Sequence, residues 1–429
     1  MYPANLPITT KKLRNNLWYL SHMYTFDGIL NRLTLPLMLL LAVGLVSSCD
    51  DTPIVGGDLS PDDVAVHSDS LLISNLSVVS SPSFSGNRTF VTTGRIEDPV
   101  FGDMKATALL RPSISRESEA DTIGENAVVR LSLNVSNRHG VETARSDFEI
   151  VEIARPWRSS SWRYDSIPAL AKNPDMSRKV VGQFSITDRD SVTVRLSEEW
   201  TGRFREIFNR RTSELRDSLY RADMPGLAIV PAEGTEKMFS IQVSRARLLV
   251  EAGDGMRDLS KEISSSAISL EKEGPEEAAP GESKPVFNTR GSMLELDIDF
   301  TEEFLGTANF SRVELVIYED TVRMKTGIPA DFERPRSETM IVYYLRPDQL
   351  NFAIAVDPRF QATRRAEDSS YRVNLTNLAN ERLRNGADDR RLYAVVGGND
   401  GRIIPTLLSG PDSPGRQPKL LITSISKEQ

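Results

Sequence analysis

The chain has 429 residues, of which 39% are hydrophobic and 26% charged, with a formal net charge of −8. That length exceeds what one core usually organises and the composition is that of a folded chain, so two domains are expected and wholesale disorder is excluded. Removing residues 1–48 takes away Lys11, Lys12, Arg14, Arg32 and Asp27 and leaves the remainder at about −11, a balance that repels phosphates and excludes nucleic acid as an expected partner.

The first element is an apolar run from Leu33 to Val46, broken only by Thr34, Pro36 and Gly44, that leads into Val46-Ser47-Ser48-Cys49. At about 14 residues it is short of the roughly 20 that cross a bilayer as a helix, and it suits the core of a signal peptide. Small residues before a cysteine at the end of such a run match the lipobox of bacterial lipoproteins. Residues 1–48 are therefore read as a lipoprotein signal peptide, with Met1 or Met23 as the start, and Cys49 as the lipidation site. Cys49 is the one cysteine in the chain, so no intramolecular disulfide is expected and lipidation accounts for the thiol. At about 0.8 kcal/mol per buried methylene, two acyl chains there make the membrane a lasting partner. Residues 49–63, rich in Gly, Pro and Asp, read as a flexible tether. The acidic Asp50-Asp51 pair favours inner-membrane retention under the enteric rule and surface export under the Bacteroidota-type rule. The expected location is the cell envelope, as an outer-membrane lipoprotein exposed at the surface.

After the tether, short alternating segments rich in β-branched residues predict strands at 71–79, 128–135, 148–153, 192–196, 226–230, 239–243 and 245–250. Between Glu198 and Tyr220 the apolar residues Trp200, Phe204, Ile207, Phe208, Leu215 and Leu219 fall at helical spacing and predict one amphipathic helix. Residues 253–285 are rich in Ser, Glu, Pro and Gly and read as a flexible linker or long loop. Strand pattern resumes at 293–300, 313–318, 340–345, 352–356, 371–375, 391–396 and 420–425, with a shorter helix at Leu378 to Leu383. The predicted fold is mostly β, with two β-sandwich or jelly-roll-like domains at 64–252 and 286–429, the first carrying the prominent helix. The halves show one order of signals. Val129-Arg130-Leu131 corresponds to Val313-Glu314-Leu315, Val194-Arg195-Leu196 to Val373-Asn374-Leu375, and Leu248-Leu249-Val250 to Leu420-Leu421-Ile422. A duplicated sandwich explains that order, and chance similarity between two β domains is the alternative.

Gly94-Arg95-Ile96-Glu97-Asp98-Pro99-Val100-Phe101-Gly102-Asp103, with the lipobox leader and the Gly226-Leu227-Ala228-Ile229 strand after a helix, resembles the domain of unknown function 4270 family of Bacteroidota lipoproteins. The resemblance implies a surface or outer-membrane lipoprotein and assigns no activity. A looser likeness, through Trp157, Trp162, Pro168 and Val194-Arg195-Leu196, is to jelly-roll modules beside carbohydrate-active enzymes, some of which bind polysaccharide.

Candidate sites are few. Asp98 and Pro99 followed by Gly102 read as a structural turn, because they place a fixed φ and a permissive φ within a few residues. Gly397-Gly398-Asn399-Asp400-Gly401 lacks the Lys-Ser/Thr ending of a phosphate loop and reads as a hairpin turn. His67 and His139 have no cysteine or histidine at ligand spacing, so neither a metal nor a cofactor is expected. No Gly-x-Ser-x-Gly elbow or recognisable triad occurs, and no catalytic residue is assigned. Trp157, Trp162 and Tyr164 lie in a Ser/Arg-rich connection and are candidates for stacking on a glycan, with burial at the end of a sandwich as the alternative. The expected function is a non-catalytic envelope lipoprotein that binds or scaffolds envelope proteins. A surface polysaccharide-binding module and a glycan hydrolase built on a carboxylate pair are the rival readings.

Overall fold

A computed structural model describes residues 64–80, 82–114, 121–170, 178–187, 189–210, 212–252, 255–259, 262–274, 282–289, 291–298, 309–344, 359–385 and 391–427. The leader, Cys49, the tether and the strand expected at 352–356 lie outside these residues. The strands of the first half are β1 (Val64–Leu72), β2 (Asn75–Ser80), β3 (Phe90–Asp98), β4 (Gly102–Pro112), β5 (Val128–Val141), β6 (Ser146–Glu152), β7 (Val180–Ile186), β8 (Ser191–Arg195), β9 (Leu227–Pro231), β10 (Lys237–Gln242), β11 (Arg247–Ala252), β12 (Gly255–Asp258) and β13 (Ile263–Glu273). The second half adds β14 (Lys284–Phe287), β15 (Ser292–Asp297), β16 (Asn309–Tyr318), β17 (Phe332–Glu333), β18 (Thr339–Tyr343), β19 (Arg359–Thr363), β20 (Ser370–Asn374), β21 (Arg391–Val396), β22 (Pro405–Leu408) and β23 (Lys419–Lys427). The helices are α1 (Glu198–Phe208), α2 (Ser213–Asp223) and α3 (Thr376–Asn385). The fold is mostly β, as the alternation predicts.

Alternation sets the faces. Over Val128–Val135 of β5 the buried side chains are Val129, Leu131, Leu133 and Val135, with half-buried residues between them, because successive strand residues point to opposite sides of a sheet. The long strands serve more than one partner. β4 pairs along one edge with β13, and its other edge passes from β3 to β9. β5 lies between β11 and β8 in its first half and pairs with β10 and β17 in its second. This sharing curls the first half's sheet. In the second half β19-β18-β21-β15-β2 faces β1-β23-β16-β20, and the buried cluster of Leu294, Leu296, Val313, Leu315, Val342, Tyr371 and Leu392 draws on both.

Two sequence expectations are corrected. The helix expected over 198–220 is two helices, because Asn209 ends α1. Its backbone N–H donates to Arg205 O, and its side chain turns away to bridge Ile123, accepting from Ile123 N at 2.9 Å and donating to Ile123 O at 3.0 Å. Residues 253–285 are not a linker throughout, since β12, β13 and the start of β14 fall in them. Three of the four serines that disguise β13, Ser265, Ser266 and Ser269, are buried, and two of these are bonded through their side chains: Ser265 Oγ accepts from Arg111 at 2.6 Å, and Ser269 Oγ donates to Ser166 O. The halves also share a core, for Phe287, Met324, Ile403 and Leu407 join the cluster that holds Phe101, Leu131 and Phe239. Ala65–Ser426 is accordingly one compact unit.

The two halves nevertheless repeat one topology. β3 with β10, β4 with β9, β5 with β8 and β11, and β6 with β7 and β9 correspond to β14 with β22, β15 with β21, β16 with β20 and β23, and β18 with β19 and β21. The register agrees residue for residue. Leu131 lies between Val194 and Leu248, and Leu315 between Val373 and Leu420. Ahead of each helix, Leu196 N donates to Val129 O and Leu375 N to Val313 O, both at 2.9 Å.

Candidate functional site: the Trp157–Tyr164 loop and its groove

β9 is buried on both faces, which requires a second layer over the sheet. Leu227 and Ile229 enter the main core, whereas Ala228 and Val230, with Leu109 of β4, Val151 of β6 and Ala267 of β13, form a separate apolar surface on the other side. The connection between β6 and β7 covers it with Trp157, Trp162 and Leu170. Trp157 is 7% exposed; its Nε1 donates to Pro225 O at 2.9 Å, which satisfies the one polar atom of the ring. Trp162 is half-buried and meets Trp157 edge-on, with centroids 5.7 Å apart and planes at 72°. The Arg111 guanidinium lies 5.6 Å from the Trp157 ring centroid.

Tyr164 is 8% exposed. Its N–H donates to Ser83 O at 3.1 Å, its carbonyl accepts from Leu270 N at 2.7 Å, and its hydroxyl donates to Asn399 Oδ1 at 2.7 Å. Burial pushes the phenol pKa well above its ordinary value, so Tyr164 stays neutral and serves as a donor. Asn399 comes from the Gly397–Gly401 turn, so that turn helps hold the aromatic loop. Two of the three candidate rings are thus enclosed in a second layer, and Trp162 alone of the three keeps a partly open edge.

Beside this layer runs a groove of about 610 Å³, lined by Ile167 to Leu170, Val230, Thr107, Arg155, Arg178 and the Lys105–Glu271 ion pair at 3.0 Å. Ile167 is 79% exposed at its rim. Cations outnumber acids in the lining, so a chain that is acidic overall presents here a local positive potential over apolar material, suited to an extended anionic ligand.

The Asp98 turn proves to be a junction. Asp98 Oδ1 accepts from Val100 N at 2.8 Å, Phe101 N at 3.1 Å and Arg334 Nη2 at 2.8 Å, while Oδ2 accepts from His139 Nε2 and Arg334 Nε, both at 2.9 Å. Pro99 is exposed and Gly102 has φ +83°, and the two residues make the turn. Arg334 stacks between Phe101 and Phe332, 5.3 and 5.4 Å from their centroids, and donates to Met324 O. Burial would raise the Asp98 pKa, but the hydrogen bonds from His139 and Arg334 outweigh it and hold the carboxyl far below its ordinary range. Burial lowers the His139 pKa against the pull of Asp98; the neutral ring donates through Nε2, and its buried Nδ1 has no hydrogen-bond partner among the described residues. His139 is 1% exposed, and the cluster ties the turn after β3 to β5 and to the segment after β17. Arg334 was illegible as a partner of Asp98, from which it stands 236 positions away.

Among the described residues no group of three or more His, Cys, Asp or Glu side chains is placed to hold a metal ion, and no helix is long and apolar enough to cross a membrane. No protein family and no curated protein matches the chain. Among solved structures, a Parabacteroides distasonis protein provisionally described as secreted is similar over 83% of this chain and 100% of its own, with 9% identity and a TM-score of 0.19. The Macrobrachium rosenbergii nodavirus structure is similar over 88% and 94%, with 9% identity and a TM-score of 0.13. Superpositions at that level carry no argument about function. The resemblance to the domain of unknown function 4270 family therefore rests on the residues quoted for it alone.

Proposed function

We propose that the chain is a lipid-anchored protein of the bacterial cell envelope, exported, cut before Cys49, and non-catalytic in its binding or scaffolding role. The observation that carries this reading is the apolar run Leu33–Val46 ending in Ser47-Ser48-Cys49, with ordered strand beginning at Val64. The buried polar cluster in the turn after β3 supports the non-catalytic part, because its carboxylate and imidazole are committed to holding backbone and Arg334. Membership of the domain of unknown function 4270 family, and location in the outer membrane or at the surface, belong to the same proposal. The test is growth with labelled palmitate and intact-mass analysis of the native product. Label in the parent, and none in Cys49→Ser with release to the soluble fraction, is the expected result. An unmodified Cys49 with residues 1–48 still attached overturns it.

A second reading, a surface polysaccharide-binding module, is favoured by the groove beside Trp162, where Arg155 and Arg178 accompany the exposed Ile167. It selects acidic over neutral polysaccharides. Binding to uronate-rich polymers that Arg155→Ser with Arg178→Ser abolishes supports it, and equal binding by parent and variant removes it.

A further inference from the structure

The two repeats differ in where their last two strands come from. In the first repeat the chain runs on from β11 into β12, which pairs with β11, and then β13, which pairs with the free edge of β4. In the second repeat the corresponding edges belong to β23 and β15, and their partners are β1 and β2, from the other end of the chain. Each added strand is followed by one more backbone bond to its neighbour, at positions two residues apart: just after β12, Leu259 N donates to Leu248 O at 2.8 Å, and just after β1, Ile73 N donates at 2.9 Å to Pro418 O, two residues before Leu420, the counterpart of Leu248. Leu259 and Ile73 are both buried, the first in the core of its own repeat and the second in the core of β15, β16 and β21. Leu71, Leu76 and Val78 pack against that same second core.

We infer that β1 and β2 are a closing strap for the second repeat: a strand pair that fills, from the amino-terminal end, the place that β12 and β13 fill in the first. The strap's occupancy is separable from the rest of the fold, because its backbone pairs with β23 and β15 alone among the described strands. Without it the β15 and β23 edges present unpaired N–H and C=O groups beside uncovered apolar side chains, which is an acceptor for a strand pair of the same pattern. Residues 64–80 of the same chain are the occupant. The inference does not depend on lipid at Cys49, although a pull on the tether would reach β1 first.

The experiment inserts a protease recognition sequence at Ser81 in the chain from residue 50 onward and cuts it after folding. Residues 64–80 are expected to remain bound through native size exclusion and to leave in denaturant. The melting temperature of the cut protein should be lowered and should rise with added peptide 64–80, as mass action requires. A dimer that exchanges strands would support the same acceptor. Departure of the fragment with no change in the melting of the remainder overturns the inference. A second variant covers failure of the inserted chain to fold. Leu76→Asp in the uncut protein should accelerate amide exchange in β1, β2, β15 and β23 and leave β4 and β11 protected. Uniform acceleration, or none, overturns it equally.

Discussion

The Asp98 carboxylate and the Arg334 guanidinium meet in two hydrogen bonds, at 2.8 and 2.9 Å, with the two side chains 0% and 5% exposed. The pair joins the turn after β3 to the segment after β17, so a residue of each half is buried against a charge of the other. Removing one member leaves the other charged in a dry site, which costs about 3–5 kcal/mol. Arg334→Met should therefore lower the urea midpoint strongly, and adding Asp98→Asn should recover part of the loss. A midpoint unchanged from the parent would show that the pair contributes nothing net.

The same cluster predicts sensitivity to acid. The folded pKa of His139 lies below its ordinary 6.5 and that of Asp98 below its ordinary 3.8, so in both cases the unfolded chain binds protons more readily. Stability is then fully present above each ordinary value and is lost as pH falls through it toward the folded value. The melting temperature should decline first below pH 6.5, through His139, and more steeply below pH 3.8, through Asp98. His139→Gln should remove the earlier decline and leave the later one, which a melting series in pH steps will show.

The two tryptophans should separate by burial. Trp157→Ala removes an enclosed ring with a bonded Nε1 and should cost about 3–5 kcal/mol. Trp162→Ala removes a half-buried ring whose Nε1 makes one long contact, to Ser269 Oγ at 3.4 Å, and should cost clearly less. Comparison of both variants by chemical unfolding and by polysaccharide pull-down then distinguishes packing from recognition. If Trp162→Ala loses stability as heavily as Trp157→Ala and there is no glycan signal to lose, the aromatic loop is cover alone.

Gly102 occupies a position that admits only glycine. Its φ of +83° disfavours any side chain, and a Cβ there would lie 2.4 Å from Glu273 O, at the end of β13. Gly102→Ala should cost about 1–2 kcal/mol for the dihedral alone and more for the clash. Equal thermal stability of parent and variant would contradict the geometry.

The alternation in Val129 to Val135 and the helical spacing of Trp200, Phe204 and Ile207 were legible because each reflects one buried face of one element. The equivalence of Leu131 with Leu315 was legible for the same reason, since register preserves which residue of a strand looks inward. What escaped reading depends on partners far along the chain. β13 buries serines whose hydroxyls find partners, Arg111 for Ser265 and Ser166 for Ser269, only in the folded state, so its composition resembled a linker. Asn209 ends α1 through a bond to Ile123, which helical spacing does not encode. Tyr164 could be placed as an aromatic with a polar tip, but its enclosure follows from Ser83, Leu270 and Asn399, drawn from three separate segments. The groove was unreadable because Lys105, Arg155 and Glu271 converge only when β4, β13 and the aromatic loop are assembled.

The neighbouring of β1 and β23 also bears on how the chain is made. β3 to β13 supply most of the strand pairs of the first repeat, to which later residues add β17 at the edge of β5 and Phe287, Met324, Ile403 and Leu407 in the core. In the second repeat one sheet takes its edge, β1, and that strand's neighbour, β23, from opposite ends of the described residues. Pairing across almost the whole described length is slow to form, and the second core keeps an open edge until β23 has been made.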